Sequence, residues 1–194
     1  MRSILLAVLA CVGITTPLDA ETPVSRTDRL AARKSTAPDV DRPPLLGTIF
    51  ELHGDVRVPL DADSPSNERF SALLSDRVTG DARDLDAQLL GLLRTLASKH
   101  PGARIELVSG YRSPKLNEML RKKGHHVASH SQHSLGHACD FRVVLSDSAR
   151  GMHPYDLEQE IRALGWKGGV GVYPSKDDWF VHADVGPQRR WEGN

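Results

Sequence analysis

A single α+β domain, built on a mostly antiparallel sheet with flanking helices, is the fold class this sequence predicts. Three observations lead there. The chain has 194 residues, enough for one domain with a proper core and extensions. Its apolar runs are short and bounded by glycine or proline, as strands are. Helical patterns lie between them, without the regular strand–helix–strand alternation of a parallel sheet.

The elements follow in order. Gly47 to Leu52 and Val56 to Val58 read as two short strands around a turn at His53-Gly54-Asp55. Arg69 to Leu74 reads as a short helix. Asp84 is placed to cap a longer helix, in which Leu85, Leu89, Leu92, Leu93 and Leu96 make one apolar face. Lys99-His100-Pro101-Gly102 ends it. Ile105 to Val108 is a strand stopped by Gly110. Ser113-Pro114 starts a helix, with proline at the first helical position. Phe141 to Leu145 is strand-like. Pro154 to Leu164 is a helix stopped by Gly165, and Val170 to Tyr173 and Trp179 to Val185 are further strands.

The N-terminus has a different character. Residues 1–20 follow the plan of a secretory signal peptide: Arg2, an apolar run from Ile4 to Ile14, and a small residue at Ala20 before Glu21. That run is short for a membrane span. An uncleaved anchor is the alternative, and Val8-Leu9-Ala10-Cys11 faintly resembles a lipoprotein cleavage site. Residues 21–43 are rich in Thr, Ser, Pro, Arg and Asp and read as a flexible linker, leaving 44–194 as the folded domain. No membrane span is expected once the signal is removed.

Lys+Arg and Asp+Glu both total 25, so the formal net charge is zero. Nothing in that balance calls for a nucleic-acid partner. Cys11 lies in the signal, which leaves Cys139 without an internal disulfide partner. Alternation points its side chain away from that of Asp140 and into the core.

Five of nine histidines fall between His125 and His137. Their number says less than the spacing Ser131-x-His133-x-x-Gly136-x-Ala138-x-Asp140, answered by Trp179-Phe180-Val181-His182. Asp140 opens an apolar strand, where an unpaired carboxylate would be costly unless paired or metal-bound. His182 is embedded between Val181 and Ala183. Two imidazoles and one carboxylate suit zinc, with a fourth position left for water. No H-E-x-x-H helix is present.

Taken with Ser109-Gly110-Tyr111-Arg112-Ser113-Pro114, Gly168-Gly169-Val170-Gly171-x-Tyr173-Pro174, Phe180-Val181-His182-x-Asp184-x-Gly186 and Arg190-Trp191, these motifs resemble the zinc D,D-peptidase superfamily. It includes VanX-type dipeptidases and D-alanyl-D-alanine carboxypeptidases, with the Hedgehog domain as a structural cousin. The MepK-like murein endopeptidase branch is the most similar. The resemblance runs from about Gly47 to Trp191. It implies one zinc ion held by His133, Asp140 and His182, and Arg112 facing the substrate as carboxylate or oxyanion binder, with Tyr111 beside it. It also implies a periplasmic monomer acting on peptidoglycan at bonds next to D-amino acids.

The chemistry so implied is metal-assisted amide hydrolysis, in which a carboxylate takes a proton and passes it to the leaving amine. Here the sequence departs from VanX-type enzymes, which carry a Glu three residues before the last His; this chain has Trp179 there. On a strand, Asp178, Phe180 and Asp184 share the face of His182. Asp184 is the first choice of base and Asp178 the second, and His137 is a further option. Asp184 could instead orient His182 or cap the Gly186-Pro187 turn. The missing Glu leaves room for a zinc-stabilised cell-wall binding module without turnover.

Overall fold

A computed structural model describes residues 43–123, 131–146 and 148–193. The signal peptide and all of the linker but Pro43 lie outside the described residues. No helix among the described residues is long and apolar enough to cross a membrane.

Among the described residues seven strands form one sheet in the order β2-β1-β3-β4-β6-β5-β7. They are β1 (Gly47–Glu51), β2 (Val56–Leu60), β3 (Ala103–Ser109), β4 (Ala138–Val144), β5 (Gly169–Pro174), β6 (Trp179–Asp184) and β7 (Arg189–Glu192). Among the described residues five helices accompany them: α1 (Asn67–Leu73), α2 (Ala87–Lys99), α3 (Pro114–Lys122), α4 (Gln132–Leu135) and α5 (Pro154–Ala163). The fold is α+β, as expected. The sheet is mixed: β1–β3 and β5–β7 are parallel and the other pairings antiparallel.

Local chemistry explains most boundaries. Ser113 caps α3 by accepting from Leu116 N–H, with Pro114 at the first turn. Asp86, not Asp84, caps α2 by accepting from Gln88 N–H at 2.9 Å. Leu85 is therefore buried ahead of the helix, not within it. Two elements differ from the sequence reading in kind. Strand β7 reads as polar and sits at an edge, so no apolar alternation marks it. Helix α4 is a single turn inside what the sequence suggests is a loop.

Strand alternation sorts side chains onto two faces. One face carries Ile49, Ile105, Leu107, Cys139, Phe141, Val143, Val170, Val172, Val181 and Ala183. Leu89, Leu93 and Leu96 of α2 and Leu157 and Ile161 of α5 join them in one buried cluster. Each such side chain contributes about 1.5–3 kcal/mol on burial. Cys139 is buried and unpaired, and burial pushes its thiol pKa up. The opposite face carries Asp140, His182 and Gly171 side by side in register.

Candidate metal centre

His133 reaches that polar face from α4. Ser131 caps the turn, its Oγ accepting from His133 N–H, and Gly136 ends it at φ +76°. The turn needs glycine twice over. The left-handed conformation favours it, and a Cβ would collide with the Asp84 carbonyl. The N–H of Asp86 donates to Gly136 O at 2.9 Å, tying the start of α2 to the turn that carries His133.

Three donor atoms converge. His133 Nε2 lies 3.0 Å from His182 Nδ1, which lies 2.8 Å from Asp140 Oδ1, and His133 Nε2 is 3.2 Å from the same oxygen. All three residues are buried. A tetrahedral zinc ion with bonds of about 2.0–2.1 Å would hold its ligands about 3.3 Å apart, so the triangle needs only a slight expansion to accept one.

The outward hydrogen bonds set the chemistry of the triangle. His133 Nδ1 donates to Gly110 O at 2.6 Å, so Nε2 presents a lone pair inward. Burial, then the Arg112 charge, lowers its pKa to about 4, and the ring is neutral. His182 Nε2 donates to Asp184 Oδ2 at 2.9 Å. Burial alone would lower the His182 pKa, but hydrogen bonds to Asp140 and Asp184 outweigh it and raise it. A proton on His182 Nδ1 therefore joins Asp140 Oδ1 and the His133 lone pair. Exchange of that proton for a divalent cation leaves two imidazole nitrogens and a carboxylate oxygen as ligands, a donor set that fits a metal ion. Burial opposes ionisation of Asp140, but the Arg112 charge and the hydrogen bond from His182 hold its pKa well below the usual range.

Arg112 binds the outer oxygen of Asp140 through Nη2 and Ser109 Oγ through Nε. A register shift in β3 between Leu107 and Ser109 brings Ser109 opposite Asp140. Such a bulge re-aims a side chain beside a site, and no residue in the sequence announces it. The loop that carries Arg112 is pinned from several sides. Tyr111 N–H donates to Leu74 O, and Ser113 N–H donates to Asp76 Oδ2 at 2.5 Å. Asp76, buried, also accepts from Val78 and Thr79 N–H through Oδ1. Burial opposes its ionisation, yet these backbone donors lower its pKa. The sequence reading missed Asp76, although Asp-x-x-Thr-Gly is a recognisable turn pattern.

The remaining expected residues fall as follows. Asp184 is fully buried, and both its oxygens are engaged. Oδ1 accepts from Gly169 N–H, Gly186 N–H and Arg189, while Oδ2 accepts from His182 and Arg189. It meets His182 at Nε2, the nitrogen that does not belong to the donor triangle. Asp178 lies in the turn before β6, where its N–H donates to Ser175 Oγ. Neither carboxylate makes a hydrogen bond to His133 or Asp140. Tyr111 is half-buried, and its hydroxyl makes no hydrogen bond to the three donors. Tyr173 and Trp191 stand closer: Trp191 packs 5.0 Å from the His182 ring and donates from Nε1 to Tyr173 Oη at 3.3 Å. Gly171 makes the space, since a Cβ there would overlap the indole.

Comparison with known proteins bears on residues 61–191, which match the family model described as peptidoglycan L,D-endopeptidase MepK. A probable peptidoglycan L,D-endopeptidase MepK of Haemophilus influenzae is 31% identical over 128 residues, covering 65% of this chain and 64% of that protein. The peptidoglycan L,D-endopeptidase MepK of Escherichia coli K12 is 36% identical over 104 residues, 54% of this chain and 50% of that protein. The matches thus span between half and two thirds of these relatives' length. No solved structure gives a significant match. The family model covers well over half of the sequence, and this chain belongs to the MepK family of the zinc D,D-peptidase superfamily.

Proposed function

We propose that the protein is a zinc-dependent peptidase that hydrolyses peptide bonds in peptidoglycan cross-links or stems. The observation that carries this reading is the convergence of His133 Nε2, His182 Nδ1 and Asp140 Oδ1 on the polar face of the sheet. Membership of the MepK family supplies the substrate class. The relatives' name narrows the bond from one next to any D-amino acid to an L,D bond. The apolar N-terminal run supports delivery to the periplasm, where the protein would act as a monomer.

His133, Asp140 and His182 would hold the zinc ion. Once bound, it supplies Lewis acidity that polarises a carbonyl and lowers the pKa of water. The protein's own groups do the rest. Arg112 is permanently charged and fixed by Ser109 and Asp140, and it binds a substrate carboxylate or the developing oxyanion. Gly110 and Asp184 fix the two imidazoles by accepting their outward N–H groups. Asp184 is therefore assigned to positioning and not to proton transfer, because its oxygens are buried and already accept bonds from four groups. Asp178 is then the carboxylate to test as proton acceptor, as the other acidic residue at even spacing from His182.

The test is digestion of cross-linked muropeptides followed by mass analysis, with chelator and with zinc restored. New products that vanish with chelator and return with zinc are expected. If no cross-linked substrate yields products in the presence of zinc, the peptidase reading fails. The absence of a hydrogen bond from Asp178 to the donors favours one second reading, a binding module without turnover. Such a protein would sediment with sacculi and leave them uncut.

A further inference from the structure

We propose that Arg142, Arg104 and Arg57 form a carboxylate-binding track on the polar face of the sheet. It would take the acidic flank of a peptide whose scissile bond lies at the His133–Asp140–His182 centre. This rests on the peptidase reading for the position of the scissile bond, but the track itself is independent of turnover.

Register places the track. Arg142 lies two residues beyond Asp140 on β4, so its side chain leaves the same face about 7 Å away. Glu106 of β3 stands opposite Arg142, Phe50 of β1 opposite Glu106, and Arg57 of β2 opposite Phe50. Four neighbouring strands at about 4.8 Å each make a row about 14 Å long. Arg104, two residues before Glu106 on β3, adds a third guanidinium.

The charges in this row do not balance. Glu106 is buried, and it accepts from Arg104 Nε at 2.8 Å through Oε1 and from Arg142 Nε at 2.6 Å through Oε2. One carboxylate thus fixes two guanidiniums. A third, Arg57, lies 4.9 Å over the Phe50 ring and has no acidic partner among the described residues. Three permanent cations thus share this row with one carboxylate, a local positive excess in a protein whose formal net charge is zero. The arginine side chains also stay accessible, at 42% for Arg104 and 28% for Arg142. Because Glu106 holds Arg142 by its Nε edge, its two terminal nitrogens remain for a second acceptor, in the planar geometry that suits a carboxylate. Peptides rich in free carboxylates, as peptidoglycan stems are, have the complementary charge.

The experiment uses the full chain loaded with zinc, and two stem-peptide substrates that differ only in having free or amidated carboxylates. Binding is measured calorimetrically, and cleavage is followed as KM and kcat, at low and at moderate salt. The wild-type protein should bind the free-carboxylate peptide about tenfold more tightly, and that margin should shrink as salt screens it. Arg57→Gln/Arg142→Gln should erase the margin, raising KM for the free peptide alone while zinc content stays at one per chain. Equal binding of both peptides by the wild type would overturn the track. So would an equal loss on both peptides in the variant, which marks a structural role. If the wild type cleaves neither peptide the peptidase reading fails, and the binding margin alone still decides the track.

Discussion

The two faces of the sheet obey the same alternation, yet they are held in opposite ways. On the helix-covered face, Phe141, Val143, Val181 and Ala183 meet α2 and α5 through contacts that are many, weak and interchangeable. On the other face, Asp140, His182 and Arg112 meet through a few hydrogen bonds with fixed partners. Neighbouring residues of one strand belong to the two regimes: Asp140 is flanked by Cys139 and Phe141. A core of this kind tolerates imprecision, whereas a polar centre fails when one partner is lost. The comparison predicts that substitutions on the two faces separate stability from metal binding.

The largest effect should come from His182→Ala on the polar face. Zinc content should drop from one per chain to none, and peptidoglycan cleavage should fall by about a thousandfold or more, with the far-ultraviolet dichroism retained. Phe141→Ala, one residue from a ligand but on the other face, should do the reverse. It should cost about 3–5 kcal/mol in urea unfolding, while the folded fraction still binds zinc. Asp184→Asn should weaken zinc affinity about 10–100-fold, measured by competition with a chromophoric chelator. If Asp184→Asn instead abolished turnover with affinity unchanged, Asp184 would be the base after all.

The smaller effects concern protons. In the metal-free protein the His133 pKa is lowered from 6.5 to about 4, so the folded state binds fewer protons than the unfolded one in that window. Its contribution to stability is full above 6.5 and is lost as pH falls towards 4. The Tm of chelated protein should decline across that range. His182 has a raised pKa, so its contribution is complete below 6.5 and does not offset the decline. Zinc must displace the His182 proton, so zinc affinity should rise with pH through the raised His182 pKa.

The apolar face was legible because alternation and helical spacing are properties of single segments. Leu89, Leu93 and Leu96 could be assigned to a core without knowing what they pack against. The residues that converge on the polar face were legible for a related reason, since a carboxylate and an imidazole inside apolar strands need partners. What could not be read depends on how segments meet. Asp84 and Asp86 are equally good caps as residues, and contact with the Gly136 turn selects the second. The register shift that brings Ser109 to Asp140 is fixed by pairing between β3 and β4. The positioning role proposed for Asp184 rests on which nitrogen of His182 it meets, and spacing places both carboxyl oxygens on the right face without saying so.

Cys139 gives the two-faced sheet a clock. Its thiol faces the core between two residues of the polar centre's own strand, and no reagent can reach it while β4 stays packed against β3 and β6. In a Cys11→Ser chain, the rate of thiol labelling therefore reports how often the middle of the sheet opens. Zinc held through Asp140 and His182 would cross-link β4 to β6 and should slow that labelling in proportion to its hold on the folded state. A cysteine with no catalytic part to play thus makes metal occupancy measurable in the absence of any substrate.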